Sequence, residues 1–512
     1  MISSRIAIII AVTLLIVLSA AILAGSMTKP VGRDEQMYCT GAVCLAQGKM
    51  IYRDFSYAAQ MPYHPLLCAA LYKMLDTTHY LLVGRLLSSG CDILVMILII
   101  AIYRHVFKPF AITGTLLGLA GVVLYLFNPL VDYANGYAWN HDVVVLCIVL
   151  SLWLFISADF QKKSGYWRIA AIGALLTFAT FMRITTVLAE LLFFVVILAS
   201  PAKSIKQRAK NALPFLAASA AVVMWPLWVI AQAPKAFFLN LVKIPAFYGR
   251  WLHEIGMVHN KVGLTLACLM TPGYFVLIAL LVYLFLAGFI LRRKLKIADR
   301  NSLRLVVLLP VVFFVVALIP PTIWRQYLAI PVPFLVIALA FPLSYLRRLS
   351  DKGNISRQFK IASVSMGVGA LLAILAYPFV LFRTPIALVP EKWVPIDLHR
   401  VSEDIVGRAK EPKQILTLAP LLALEGGGKI YTELSAGAII YRIADYLTPH
   451  ERQITHTAGP KNLPALIETT SPSAVILRVE MPRLEQLISE IIVQPDWEKE
   501  EYENGPIVYF SP

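Results

Sequence analysis

The sequence predicts a polytopic α-helical membrane protein with a small α/β domain at its C-terminal end. Of the 512 residues, 59% are hydrophobic and only 15% are charged, whereas globular domains carry about a quarter charged residues. Apolar runs recur up to residue 382, and runs of about 20 residues are long enough to cross a hydrocarbon core of about 30 Å as helices. From residue 383 the charge content becomes ordinary. The predicted domains are therefore 1–382 and 383–512.

About eleven helices are predicted to cross the membrane. They cover approximately 5–26, 80–103, 110–127, 143–158, 168–182, 185–200, a run ending near 232, 267–291, 303–320, 327–345 and 360–382. Residues 27–79 form a long outer loop after the first span. Within this loop, 34–47 and 63–75 have amphipathic helical patterns, so we expect two short juxtamembrane helices lying along the interface.

The formal net charge of +16 is concentrated in short loops on alternate sides of the spans. Lys and Arg are frequent in 104–108, 162–168, 203–210, 292–304 and 347–360, whereas 128–142 contains neither. This pattern places the basic loops in the cytoplasm. It predicts a multi-pass protein of the plasma (inner) membrane whose C-terminal domain lies on the periplasmic or extracellular side. Topology and contact with membrane lipids explain the charge, so we expect no nucleic-acid partner.

The segment 383–512 reads as a compact extracytoplasmic α/β unit. Strands are predicted at 414–419, 429–432, 474–479 and 507–510, and helices at 434–446, 462–468 and 482–492. Alternation of strands and helices is typical of such domains. The chain shows no internal repeat of the kind common in secondary transporters.

The six cysteines do not have metal-ligand spacing. Cys39 and Cys44 lie on the predicted oxidising side, where a disulfide is an alternative to two free thiols. A spacing of five along a helix points the two side chains to different faces. We therefore favour free thiols.

Ionisable side chains gather on the predicted outer face, where burial beside apolar spans is costly unless the residue has a function. They are Asp34, Glu35, Arg53, Asp54, His64, His141, Asp142, Arg183 and Arg325. A structural role is the alternative for several of them. Asp34, Glu35 and Asp142 suit helix N-termini, His141 suits the membrane interface, and His64 precedes a proline in a turn. Arg183 and Arg325 require an anionic partner or a phosphate.

Three segments of the first outer loop carry a family resemblance. They are Pro30-Val-Gly-Arg-Asp-Glu-Gln-Met-Tyr38, Gly48-Lys-Met-Ile-Tyr-Arg-Asp-Phe55 and His64-Pro-Leu66. Following a first span and preceding many basic-looped spans, they resemble the glycosyltransferase C superfamily, which includes protein O-mannosyltransferases and the aminoarabinose transferase of lipid A. The paired acid of that superfamily matches Asp34-Glu35. The Trp324-Arg-Gln-Tyr327 turn resembles the Arg-Tyr of bacterial members, with Gln326 interposed.

The resemblance implies transfer of a sugar from a polyprenyl-phosphate donor to a hydroxyl of a glycan, lipid or protein acceptor, with inversion. It implies Asp34 as the general base and Glu35 as a group that orients the acceptor or a cation. The implied substrate-binding residues are Arg53, Asp54, His64, His141, Asp142, Arg183, Arg325 and Tyr327, with Arg183 and Arg325 assigned to the departing phosphate. A divalent cation is an open alternative, since the sequence shows no dedicated metal cage.

Two other classes of function remain open from the residues alone. A lipid or glycolipid transporter would place ionisable residues near mid-membrane, whereas the charges of this chain lie at span ends. A non-catalytic scaffold would use the outer domain to bind partners. Convergence of the outer acids and arginines in space would favour the enzyme.

Overall fold

A computed structural model of the chain describes residues 4–158, 163–199, 205–258, 260–291, 300–320, 323–350, 356–492, 496–503 and 505–512. Part of the basic sequence that carries the sidedness prediction lies outside the described residues, at 159–162, 200–204, 292–299 and 351–355.

The larger part of the chain is a body of helices. They are α1 (Ser4–Met27), α2 (Arg33–Ala46), α3 (Tyr63–Leu75), α4 (Tyr80–Val106), α5 (Ala111–Leu126), α6 (Pro129–Ala134), α7 (His141–Ile156), α8 (Lys163–Thr180), α9 (Val187–Leu198), α10 (Ile205–Gln232), α11 (Pro234–Phe238), α12 (Ile244–Glu254), α13 (Lys261–Leu269), α14 (Pro272–Leu291), α15 (Arg300–Leu318), α16 (Pro331–Ala338), α17 (Ala340–Ser350), α18 (Ser356–Ala376) and α19 (Phe379–Phe382). Most exposed large apolar side chains lie on these helices, as expected for surfaces that face lipid.

Each predicted span overlaps one or more of these helices. Among the described residues, seven helical segments are long and apolar enough to cross a membrane, and α13 with α14 makes an eighth if counted as one span bent by 77°. The bend falls at Pro272, which has no backbone N–H to continue α13. The other three predicted spans correspond to α7, α8 and α9, of 16, 18 and 12 residues. The chain is thus a multi-pass membrane protein.

The two helices of the first outer loop form as predicted, but α2 does not lie on the surface. Every residue from Glu35 to Cys44 is buried, because α2 packs against α3 and α4 on one side and against the C-terminal domain on the other. Cys39 and Cys44 are both buried free thiols. The loop is therefore a core element between the two parts of the protein.

The C-terminal part forms a mixed five-stranded sheet covered by short helices. Its helices are α20 (Val394–Arg408), α21 (Leu421–Leu424), α22 (Ala438–Tyr441), α23 (Pro449–Thr455), α24 (Leu463–Thr469) and α25 (Pro482–Ile492), and its strands are β1 (Gln414–Thr417), β2 (Lys429–Ile430), β3 (Ala474–Leu477), β4 (Glu498–Glu501) and β5 (Ile507–Phe510). The strand order is β2-β1-β3-β5-β4. β1 runs parallel to β2 and β3, whereas β5 runs antiparallel to β3 and β4.

All four predicted strands are present, and the differences have local causes. β4 escapes a hydrophobicity pattern because its Glu-Lys-Glu-Glu sequence lies on the exposed sheet edge. The predicted helix 434–446 is broken, because Gly437 adopts a φ of 56°, a left-handed conformation that interrupts a right-handed helix. Helix α20 was not predicted.

Polar contacts fasten this domain onto the first outer loop. The Leu421 amide donates to Gln36 Oε1 at 2.9 Å, and Lys49 Nζ donates to Thr432 Oγ1 at 3.0 Å. The C-terminal domain therefore covers α2 and fixes the position of its first turn.

Candidate active site

Asp34 and Glu35 occupy the first turn of α2, but their side chains have different surroundings. Neighbouring residues on an α-helix point about 100° apart, so one carboxylate faces the core when the other faces away. Glu35 is completely buried, and Asp34 is half-buried. The two acids therefore have separate roles.

The carboxylate of Glu35 is saturated by protein donors. Arg85 Nε donates to Oε1 at 2.9 Å and Arg85 Nη2 donates to Oε2 at 2.8 Å. The Ala138 amide reaches Oε1 at 2.6 Å, and the Gly32 amide reaches Oε2 at 2.8 Å. Neither oxygen is left for a cation or an acceptor.

Arg85 connects this carboxylate to the end of α1. Its Nη1 donates to the carbonyls of Ser26 and Lys29 at 2.9 and 2.8 Å, and its Nη2 reaches the Pro30 carbonyl at 3.2 Å. With the two bonds to Glu35, all five N–H donors of the guanidinium are used. The Glu35–Arg85 pair thereby ties α1, α2 and α4 together and fixes the backbone that carries Asp34.

Asp34 has no hydrogen bond or ion pair among the described residues. Burial raises the pKa of its carboxyl above the ordinary value, and Arg183 opposes the rise more than any other charged group. Arg33 and Arg442 act in the same direction as Arg183, whereas Glu35 adds to the rise. The side chain is thus an unpaired carboxylate in a half-buried site near three arginines.

Residues far apart in sequence converge on Asp34. Arg183, at the turn between α8 and α9, places its guanidinium 5.0 Å from the ring centre of Tyr327 and its Nη1 3.3 Å from His141 Nδ1. Burial, followed by the charge of Asp34, raises the pKa of the Tyr38 phenol one turn along α2. Asp34, His141, Arg183 and Tyr327, all predicted from sequence, therefore form one cluster.

The C-terminal domain and α12 close another side of the cluster. Arg442 is 5% exposed and donates to Glu480 Oε2 at 2.7 Å and to the Tyr248 hydroxyl at 3.3 Å. Glu480 Oε1 also accepts from Arg33 Nε at 2.5 Å. The charge of Asp34 contributes to the raised pKa of Tyr248, after burial. The sequence analysis missed Arg442 and Tyr248, since an arginine or tyrosine in an ordinary charged or aromatic segment gives no signal.

Arg325 and Asp142 lie at the margins of this arrangement. Arg325 is exposed in the 3₁₀ turn Arg325–Leu328. Burial and the charge of Asp34 raise the pKa of the Tyr133 phenol, whereas the charge of Arg325 lowers that pKa. Asp142 is buried, and its Oδ2 accepts the Gly136 amide at 2.9 Å.

Asp142 belongs with a second polar cluster beside α1. There Asp92 Oδ1 accepts from the Tyr125 hydroxyl at 2.7 Å and from Asn135 Nδ2 at 2.5 Å, and Arg383 pairs with Asp132. Asp92, Asp132, Asn135 and Arg383 line a small pocket together with Lys29. Burial lowers the pKa of Lys29 to about 8. Arg383 and Asp132 form an ion pair, whereas Asp142 Oδ1 is buried without a hydrogen-bond partner among the described residues.

Arg53, Asp54 and His64 are not brought into contact with Asp34. Arg53 and Asp54 pair with each other at 2.8 Å on the surface, and Asp54 also accepts the Met50 amide at 2.7 Å, so the pair stabilises its own turn. His64 is buried 5.0 Å from the Tyr38 ring, and burial lowers its pKa to about 3. A neutral His64 supports the Tyr38 side of the cluster.

Comparison of sequences finds no matching protein-family model and no matching curated protein. Comparison of structures finds the fold of glycosyltransferase C membrane enzymes. ArnT from Cupriavidus metallidurans bound to undecaprenyl phosphate is similar, with a TM-score of 0.65 and 14% identity over 99% of this chain and 98% of that chain. ArnT is the lipid A aminoarabinose transferase, so the resemblance stated from the sequence is confirmed at the level of the fold.

A second enzyme of that superfamily has the same fold. The Archaeoglobus fulgidus oligosaccharyltransferase in complex with zinc and sulfate aligns with a TM-score of 0.52 and 11% identity, over 97% of this chain and 73% of that chain. The same enzyme tethered to an acceptor peptide also aligns at a TM-score of 0.52, with 11% identity over 94% and 70% of the two chains.

Proposed function

We propose that this protein is a membrane glycosyltransferase that moves a sugar from a polyprenyl-phosphate donor to an acceptor hydroxyl, with inversion. The observation that carries the proposal is the unpartnered Asp34 carboxylate, held among Arg183, Tyr327 and Arg442 by elements from the whole chain. The shared fold supports it, because the ArnT structure contains undecaprenyl phosphate.

Asp34 acts as the general base. It accepts the proton of the acceptor hydroxyl while that oxygen attacks the anomeric carbon of the sugar. The bond from the anomeric carbon to the phosphate oxygen breaks, and its electron pair leaves with the polyprenyl phosphate. Its raised pKa makes the carboxylate a stronger base than an exposed aspartate, and positioned bases typically contribute 10²- to 10⁴-fold in rate.

Arg183 stabilises the phosphate as negative charge builds on it. A cation beside the departing group contributes most in a site from which water is excluded. The Tyr327 ring centre lies 5.0 Å from the guanidinium and His141 Nδ1 lies 3.3 Å from its Nη1, so both residues orient it. Exposed Arg325 attracts the anionic headgroup at the entrance.

Glu35 is a positioning residue in this mechanism. Its bonds to Arg85 and to two backbone amides hold the turn on which Asp34 stands. The alternative role for Glu35, binding a cation or the acceptor, has no free oxygen to serve it. A divalent cation, if used in transfer, would have to bind Asp34 and the substrate phosphate, and an activity assay with and without a chelator tests this.

The acceptor is a glycan, lipid or protein, and transfer takes place on the outer face of the plasma (inner) membrane. The sidedness follows from the positive-inside pattern, which puts the first outer loop and the C-terminal domain on the same side. Cysteine-accessibility labelling of exposed positions such as Glu468 in intact cells tests it. Labelling only after the membrane is permeabilised would contradict the assignment.

The test of the catalytic proposal uses purified protein in lipid nanodiscs and a panel of polyprenyl-phosphate sugars. Release of polyprenyl phosphate and gain of sugar mass on the acceptor are measured by mass spectrometry. Asp34→Asn is expected to lower transfer at least 10²-fold while retaining binding of polyprenyl phosphate. Asp397→Asn removes an exposed carboxylate that pairs with Arg400 and is the matched control. Full transfer by Asp34→Asn would refute the role of the base, and translocation of the donor without covalent change would favour a transporter.

A further inference from the structure

We propose that His79, His399 and Glu425 bind one zinc ion that fastens the N-terminal end of α4 to the C-terminal domain. One ligand atom from each of the three side chains lies within 4.8 Å of the other two. His79 is the residue before α4, His399 lies within α20, and Glu425 follows α21. The site shares no residue with the Asp34 cluster and does not depend on the proposed transferase activity.

The distance between two of the ligand atoms is close to the distance between two ligands of one zinc ion. His399 Nδ1 and Glu425 Oε2 are 3.0 Å apart. Two ligands that each lie about 2.0–2.1 Å from a tetrahedral zinc ion are roughly 3.3 Å from each other. The two imidazole rings are centred 3.6 Å apart and inclined at 32°, so one ring must rotate before a nitrogen of each points to a common ion.

The second polar atoms of Glu425 and His399 have partners of the kind that orient the ligands in metal sites. Glu425 Oε1 accepts the Leu81 amide at 2.6 Å, which leaves Oε2 for the ion. His399 Nε2 is 3.4 Å from Glu403 Oε1, and a carboxylate on the far nitrogen of a metal-bound histidine is the usual second contact.

An unpartnered buried nitrogen independently indicates a missing ligand. His79 Nδ1 is buried and has no hydrogen-bond partner among the described residues. A buried imidazole nitrogen without a partner is costly, and either a metal ion or a hydrogen bond to a neighbouring side chain would remove that cost. A metal ion would in addition bind His399 and Glu425 at the same time.

The ligand types favour zinc over magnesium and calcium. Two imidazoles with one carboxylate match zinc, whereas magnesium and calcium prefer oxygen ligands throughout. The fourth position falls to water. An ion here ties the start of α4 to the same domain that covers α2, so its role is structural.

The test measures metal binding by the full-length protein, purified in detergent without a polyhistidine tag. After removal of metal with a chelator, zinc is added and dialysed, and bound zinc is counted by plasma mass spectrometry. About one equivalent is expected, and cobalt in its place should give the intense visible absorption of a tetrahedral site. His79→Gln and His399→Gln should each weaken zinc binding at least 10-fold, while His450→Gln, which removes an exposed histidine elsewhere, should leave it unchanged.

Glu403→Gln leaves the three proposed ligands in place and removes only the carboxylate that contacts His399 Nε2. It is expected to weaken zinc affinity about 10- to 100-fold, the usual effect of losing a residue that contacts a metal ligand. Wild-type protein without stoichiometric zinc, or zinc binding unchanged in the double variant His79→Gln/His399→Gln, would overturn the proposal. Because zinc is counted directly, the result is independent of whether sugar transfer is detected.

Discussion

The two adjacent acids of α2 should respond to neutralisation in opposite ways. Glu35→Gln removes the charge that faces Arg85 and leaves the guanidinium fully buried without a counter-ion. Asp34→Asn removes a charge that has no partner. We expect the first change to unfold the protein more readily and the second to abolish transfer without loss of stability.

The magnitude for Glu35→Gln follows from its contacts. The carboxylate accepts four N–H groups, two at each oxygen, and a glutamine in either orientation turns one oxygen into a donor that faces two donors. Breaking a buried ion pair on one side typically costs about 3–5 kcal/mol. This corresponds to a change of roughly 10²- to 10⁴-fold in the folded-to-unfolded ratio.

For Asp34→Asn we expect a change within about 0.5 kcal/mol, or a slight gain. Burial raises the pKa of Asp34, so the folded state disfavours its ionised form at pH 7. The sign follows: the folded-state pKa lies above the unfolded value, so the ionised form costs stability at neutral pH, and the amide relieves that cost. A catalytic residue that destabilises its own fold is common in active sites.

Denaturant titration in mixed micelles, followed by tryptophan fluorescence, measures both variants beside the wild-type protein. Transfer and binding of polyprenyl phosphate are measured on the same preparations. Equal losses of stability in the two variants, or a stable Glu35→Gln protein, would refute the division of roles between the two acids.

Lowering the pH should abolish transfer as Asp34 becomes protonated, in a range above the pKa of 3.8 that is ordinary for an aspartate. Arg183→Gln should move the acidic limb of the pH–rate profile to higher pH, because the charge of Arg183 lowers the pKa of Asp34. Measuring the profile for both proteins checks the direction, and an acidic limb that does not move would contradict it. Glu480→Gln should cost about 3–5 kcal/mol in unfolding free energy, because it leaves buried Arg442 without its counter-ion; a loss under about 1 kcal/mol in denaturant titration would show that the pair is dispensable. Gly437→Ala should destabilise by more than about 1 kcal/mol, since its φ is 56° and an added Cβ would lie 2.6 Å from a backbone carbonyl oxygen; unchanged stability of the variant would contradict the strain.

Much of the site was predictable because an arginine or an acid beside an apolar span is conspicuous. Asp34 and Arg183 stood out for that reason, and both lie in the cluster. Arg53 and Asp54 stood out equally, yet they pair with each other on the surface. Sequence reasoning cannot separate these cases, because neighbouring residues can satisfy each other and only the turn geometry shows that they do.

Glu35 shows a different limit. Its partner Arg85 is 50 residues away and lies inside the predicted span 80–103. The pair was not predicted, because charges were expected at span ends, and the identity of the partner depends on how α2 and α4 pack. Arg442 gave no such signal, since arginine is ordinary in a domain of normal composition.

The sequence by itself determined that the chain crosses the membrane many times and that a small α/β domain follows the apolar segments. Those properties depend on local composition and periodicity, because the side chains of each helix or strand must suit the lipid, water or protein around it and its backbone polar groups must be hydrogen-bonded. Only the tertiary structure decided which of two adjacent acids is free. That outcome depends on partners from α4, the loop before α7, and the turn between α8 and α9, and no local property of Asp34-Glu35 encodes it.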